Sequence, residues 1–157
     1  MRKRFVTAST ATVQARGEGW LDLEHAATVE VTSEDKDFPI ESALSLAGGS
    51  GWRAAEPGAQ TIRLLFDEPQ RLKRISLVFE EDKIMRTQEF VLQATSNHGG
   101  PFREIVRQQW NFSAPTSTRE VEEYRVGLSH VTVLELTIVP NISGGAACAS
   151  LKSLHLS

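Results

Sequence analysis

The stretch "QTIRLLFDEPQRLKRISLVFEE", residues 60–81, decides the fold. Ile62, Leu64 and Phe66 fall on one face of an extended chain, and Ile75, Leu77 and Phe79 on one face of a second. Side chains alternate across a strand, so apolar residues at a period of two mark a buried strand face. Pro69 and its polar neighbours interrupt the pattern, which predicts a turn over 67–70. The same pattern recurs along the chain. "ATVEVTSED" (27–35) alternates around Val29 and Val31, and "TQEFVLQATS" (87–96) aligns Phe90, Leu92 and Ala94. "NHGGP" (97–101) is a hairpin turn, because glycines accept positive φ, and "FREIVRQQW" (102–110) is the returning strand. "TREVEEYRVGL" (118–128) offers Tyr124, Val126 and Leu128, and "HVTVLELTIVP" (130–140) offers Leu134, Leu136 and Ile138. "ASLKSLHLS" (149–157) closes the chain with a last strand. "IESALSL" (40–46) reads as a short helical turn. The expectation is an all-β chain of about eight strands, an antiparallel β-sandwich or jelly roll. No helix-period segments separate the strands, so a parallel α/β sheet is not expected.

Bulk properties narrow the function classes. The chain has 157 residues, 40% of them hydrophobic, enough for one domain with its own core. Its 17 basic and 20 acidic residues give a net charge of −3, which offers no general argument for nucleic acid or an anionic membrane. Cys148 is the only cysteine, which excludes an internal disulfide and a multi-cysteine metal site. The start "MRKRFVTASTATVQA" has a basic end, but Thr7, Ser9, Thr10 and Thr12 break any apolar run. A cytoplasmic chain without a membrane span is therefore expected. Residues 1–25 are expected to be an arm or extra edge strand, and 26–157 the sandwich. The apolar Phe5-Val6 pair has little reason to stay exposed, so the arm is expected to pair as an edge strand within the fold or across a homo-oligomer.

The order of motifs is similar to discoidin domains, also called coagulation factor 5/8 C-type domains, which are galactose-binding-like jelly rolls. "PIESAL" (39–44), Trp52, "IRLLFDEPQRLKRISLVF" (62–79), "TSNHGGPFREI" (95–105) and the closing "VTVLELTIVP" and "ASLKSLHL" carry the resemblance, over residues 26–157. It implies a module that binds glycans, phospholipid surfaces or proteins through loops at one end. It also implies a structural calcium, held by an Asp after an Ala-Leu pair and by a Glu near the C-terminus. Here Ser45 and Lys152 stand at those places. Ca²⁺ usually needs carboxylates among six to eight oxygens, so no metal and no cofactor are expected.

If successive strands run up and down, the long loops 33–59, 81–87, 109–117 and 139–149 share one end. The short turns at 67–70, 96–101 and 127–130 share the other. The candidate ligand residues at the long-loop end are Asp35, Arg53, Glu81, Arg86, Trp110 and Asn111. Sugar hydroxyls suit carboxylate, amide and guanidinium partners, and a sugar's apolar face suits an aromatic ring. The family resemblance implies an Arg from the 81–87 loop and an aromatic from a later loop, which are Arg86 and Trp110. Trp110 is either that platform or a cap on the core. Trp52 is expected to fill a corner of the core, and Arg53 either meets the ligand or ties loop carbonyls.

No catalytic set is expected. His25, His98, His130 and His155 fall in separate segments without zinc-ligand spacing. "GGSGW" lacks the spacing of a nucleophile elbow. The reading is a non-catalytic binding module for a glycan. The alternative is a protein-interaction or assembly module, with a protein ligand or a second copy engaged through the N-terminal arm.

Overall fold

The computed structural model describes residues 19–97 and 100–157. The expected arm pairing through Phe5-Val6 lies outside the described residues. Among the described residues, two short helices, α1 (Leu23–Ala26) and α2 (Glu41–Leu44), accompany eight strands. The strands are β1 (Ala27–Val31), β2 (Trp52–Pro57), β3 (Gln60–Glu80), β4 (Arg86–Thr95), β5 (Arg103–Phe112), β6 (Arg119–Val139), β7 (Cys148–Leu151) and β8 (Ser153–Leu156). All pairings are antiparallel. The main order is β1-β3-β6-β4-β5, with β8 on the far part of β3, while β2 and β7 form a separate pair.

Two of the expected turns are corrections. β3 and β6 are each continuous over 21 residues, through 67–70 and 127–130. Gln60–Leu65 pairs with Val133–Ile138, and Arg74–Glu80 pairs with Arg119–Arg125, with register shifts between. Bulges sharpen twist and bend a strand, so one strand serves both layers of a sandwich. Pro69 falls in the gap between the paired residues Leu65 and Gln70, where its missing N–H takes nothing from the ladder. His130, with φ of 90°, sits at the matching corner of β6.

The layers meet through the apolar faces read from the sequence. Ile62, Leu64, Phe66, Ile75, Leu77, Phe79, Phe90, Leu92, Ala94, Leu134, Leu136 and Ile138 are all buried. The Phe79 and Phe90 rings stack at 5.2 Å between β3 and β4. Each of the Ile, Leu and Phe side chains among them contributes about 1.5–3 kcal/mol on burial. Trp52 is buried and donates its Nε1–H to the Ser33 carbonyl at 3.1 Å, so it is a core corner. Tyr124, Val126 and Leu128 are only half-buried, because this part of β6 pairs with β3 on one side alone.

Polar ties fix the loops and the outer face. Lys152 Nζ donates to the Gly49 carbonyl at 2.8 Å, so a fixed ammonium holds the loop after α2. Leu21 N–H donates to Leu156 O at 2.7 Å, and the Arg74 guanidinium lies 4.2 Å from the Trp20 ring centroid. These contacts fasten residues 20–21 against β8 and β3. On the outer face, Arg63 bridges Glu30 on β1 and Glu135 on β6.

Candidate functional site

The two ends of the sandwich differ as the strand alternation predicts. A groove of about 680 Å³ opens at the long-loop end, between the 35–38 loop, the 80–84 loop and Thr118-Arg119. A second, of about 660 Å³, lies at the short-turn end between the β4–β5 turn and the β6 corner.

The first groove is built by backbone pairing across its floor. Asp35 N–H donates to Arg53 O at 2.8 Å, and Arg53 N–H donates to Phe38 O at 3.1 Å. These two bonds set the Arg53 guanidinium over the Phe38 ring, 5.2 Å from its centroid. Asp35 Oδ1 accepts the Asp37 N–H at 2.9 Å, which closes the turn. The opposite wall is the 81–85 loop, organised by one carboxylate. Glu81 accepts the Lys83 and Ile84 amides at 3.1 and 3.2 Å, and the Arg86 Nε–H at 2.8 Å. Burial alone would raise the Glu81 carboxyl. The bonds from Arg86, Lys83 and Ile84 outweigh burial and hold it below the usual carboxylate range.

Most charges in the groove are already paired. Glu80 meets Arg119 at 3.2 Å, and Asp82 meets Lys83 at 3.8 Å. Arg53 is exposed and has no carboxylate partner among the described residues. Arg53 and Asp35 therefore remain to meet a ligand, beside the half-buried ring of Phe38.

The six expected residues separate into two groups. Asp35, Arg53 and Glu81 line this groove together. Arg86, Trp110 and Asn111 do not, and each is a correction. The Arg86 side chain is 0% exposed. Its guanidinium bonds Glu81, Gln88 Oε1 at 3.3 Å and Pro140 O at 2.8 Å, and it lies 4.8 Å from the Phe112 ring centroid. It cannot reach a ligand in this arrangement. Trp110 and Asn111 sit on β5, which runs to Phe112, rather than in a loop. Trp110 faces inward and packs against the core, opposite Gln88. Asn111 faces outward and accepts a hydrogen bond from Thr87.

The sequence reading missed Phe38, the aromatic ring of the groove. The signal was its place in "SEDKDFP", an aromatic inside an acidic turn. The reading also missed Thr118 and Arg119, and Cys148, which lines the same groove half-buried. Arg119 is brought to Glu80 by the register of β6 against β3, and Cys148 to the groove by the pairing of β7 with β2.

No family model matches the chain, and no curated protein is similar to it. Solved structures share its fold. The family 32 carbohydrate-binding module from C. perfringens NanJ, in complex with galactose, is 14% identical with a TM-score of 0.62. That match covers 87% of this chain and 96% of that one. A Clostridium perfringens CBM32 module in complex with GalNAc-β-1,3-galactose is 16% identical with a TM-score of 0.63, over 88% and 99% of the two chains. A chitosan-binding module from Paenibacillus sp. IK-5 is 13% identical with a TM-score of 0.63, over 87% and 98%. At these identities the likeness establishes the fold alone: the chain is an all-β, antiparallel β-sandwich of the jelly-roll kind that these modules share.

Proposed function

We propose that this chain is a non-catalytic carbohydrate-binding module and that its sugar site is the groove framed by Asp35, Phe38, Arg53 and Glu81. One observation carries the reading: Arg53, without a carboxylate partner among the described residues, lies over the Phe38 ring beside Asp35 in a groove large enough for one or two sugar rings. The ring offers an apolar platform, and the guanidinium and carboxylate offer paired donors and acceptors for hydroxyls. The galactose, GalNAc-β-1,3-galactose and chitosan named for the similar folds support the class of ligand.

The test is a glycan array followed by calorimetric titration of the strongest hit. Arg53→Ala removes charge-assisted hydrogen bonds worth about 1.5–3 kcal/mol, so affinity falls tenfold or more. The melting temperature stays within a degree or two of the parent's, because exposed positions change stability by less than about 0.5 kcal/mol. A protein that binds no glycan, or an Arg53→Ala variant that binds unchanged, overturns the reading.

A second reading is favoured by one feature of the same end. Ile84, Met85 and Ile142 are exposed there, Met85 by 72%, and Ile142 N–H donates to Thr87 O, two residues from Met85. Exposed apolar side chains grouped around a groove suit a protein surface. Binding of a protein partner that Ile84→Ser and Met85→Ser abolish, with glycan titration flat, selects this reading. Assembly through the N-terminal arm is a separate proposal. Deleting residues 1–15 tests it by light scattering, and an unchanged mass and melting temperature reject it.

A further inference from the structure

Four buried polar atoms have no hydrogen-bond partner among the described residues: Arg86 Nη2, Glu120 Oε2, Trp110 Nε1 and Tyr124 Oη. They belong to one region, between the inner face of β4–β5 and the first part of β6. Gln88 joins its two charged members. Its Nε2 donates to Glu120 Oε1 at 3.1 Å, and its Oε1 accepts from Arg86 Nη1 at 3.3 Å. Arg86 in turn donates to Glu81, whose carboxylate shapes the 81–85 rim of the groove. A continuous hydrogen-bonded chain thus runs from a fully buried carboxyl to the wall of the groove.

We infer that the chain Glu120–Gln88–Arg86–Glu81 positions the 81–85 rim and that the proton on Glu120 controls it. Glu120 is 0% exposed. From its own strand it faces Glu122 and Tyr124, and from β4 it faces Gln88 and Arg86. Its β3 partner is Phe79, and the β5 partners of Arg86 and Gln88 are Phe112 and Trp110, all uncharged. Burial first, and then the neighbouring Glu122 carboxyl, push the Glu120 carboxyl up to about 8. At neutral pH it is a neutral acid, and Arg86 is left to Glu81, Gln88 and Pro140 O. Once ionised, Glu120 is a dry anion that attracts, across Gln88, a guanidinium with one unpartnered N–H. It competes with Glu81 for Arg86 and loosens the rim.

This inference deepens the reading of the groove as the ligand site, but its test needs no ligand. Met85 is one of only two methionines, so its methyl carbon, labelled with ¹³C, reports the rim alone apart from Met1. The titration uses a Cys148→Ser background, which removes the thiol in the groove. The Met85 methyl is expected to shift with a midpoint near pH 8. Glu120→Gln, which imitates the protonated acid, removes the step. Glu122→Gln moves the midpoint to lower pH, and this second variant keeps the test informative if the first folds poorly. A Met85 signal that is flat from pH 6 to 9.5, or a step that persists in Glu120→Gln, overturns the inference. Glycan affinity plays no part in either outcome, so failure of the relay and failure of the sugar reading remain distinct.

Discussion

Arg53 and Arg86 are the same residue type put to opposite uses. Arg53 leans on Phe38 in the open groove, while Arg86 is enclosed and bonded to Glu81, Gln88 and Pro140 O. Truncating one partner of a buried ion pair strands the other, at a cost of about 3–5 kcal/mol. Arg86→Ala is therefore expected to lower the melting temperature sharply, and a thermal melt checks it. An unchanged melt would mean that Glu81 stays solvated. Trp110→Ala belongs with Arg86. Its ring is half-buried against the core, so the loss is expected near 2–3 kcal/mol, short of the full cost of a buried ring. A stable Trp110→Ala variant would return that ring to the surface and to the list of ligand contacts.

At the scale of elements, β3 and β6 do the work of four strands. Each passes from one layer to the other through shifted register. Phe79, on the second part of β3, is wholly buried against Phe90 of β4, so Phe79→Ala is expected to cost about 3–5 kcal/mol. The corner of β6 carries the opposite expectation. His130 has φ of 90°, a region L side chains avoid and glycine accepts. His130 is exposed, so little packing is lost on truncation. His130→Gly is expected to hold or raise the melting temperature, by up to about 1 kcal/mol. A drop would show that the imidazole has a role at the corner. The alternating apolar residues on each side of these corners were legible in the sequence. The corners themselves read as turns, because Pro69 and Gly127-Leu128-Ser129 look the same locally in a turn and in a bulge. Only the partner strand distinguishes them.

For the whole molecule, pH and metal are the informative variables. The Glu120 carboxyl is raised in the folded state, so folding retains a proton that the unfolded chain releases near the ordinary carboxyl value. The sign follows: its stabilising share is complete below about pH 4.5 and is lost as pH rises toward about 8. Denaturant titrations from pH 4.5 to 8.5 are expected to show Glu120→Gln gaining on the parent as pH rises, and parallel curves would reject the assignment. Metal is expected to make no difference. Lys152 places an ammonium on the Gly49 carbonyl, in the loop where the family resemblance implies a cation. Melts in EDTA and in excess Ca²⁺ should superimpose, since any ligand bound to the folded state adds about 2.7 kcal/mol at a hundredfold excess over its Kd.

What the sequence by itself determined was the architecture and its core. Period-two apolar residues such as Ile62, Leu64 and Phe66 state which face is buried, and Trp52 announces a corner, because burial is a local consequence of side-chain chemistry on an extended chain. It also indicated which end carries the long loops, the end where Asp35, Arg53 and Glu81 line one groove. What only the tertiary structure decided was which polar residues face water. Arg86, Trp110 and Asn111 look as ligand-ready in the sequence as Arg53. Arg86 is enclosed because β4 puts it on the same inward face as Phe90 and Leu92, where Glu81 and Pro140 O reach it from outside the strand. Phe38 became the groove's ring because two backbone bonds align its loop with Arg53. A polar side chain buries only where partners from distant parts of the chain satisfy it, and the fold alone brings those partners together.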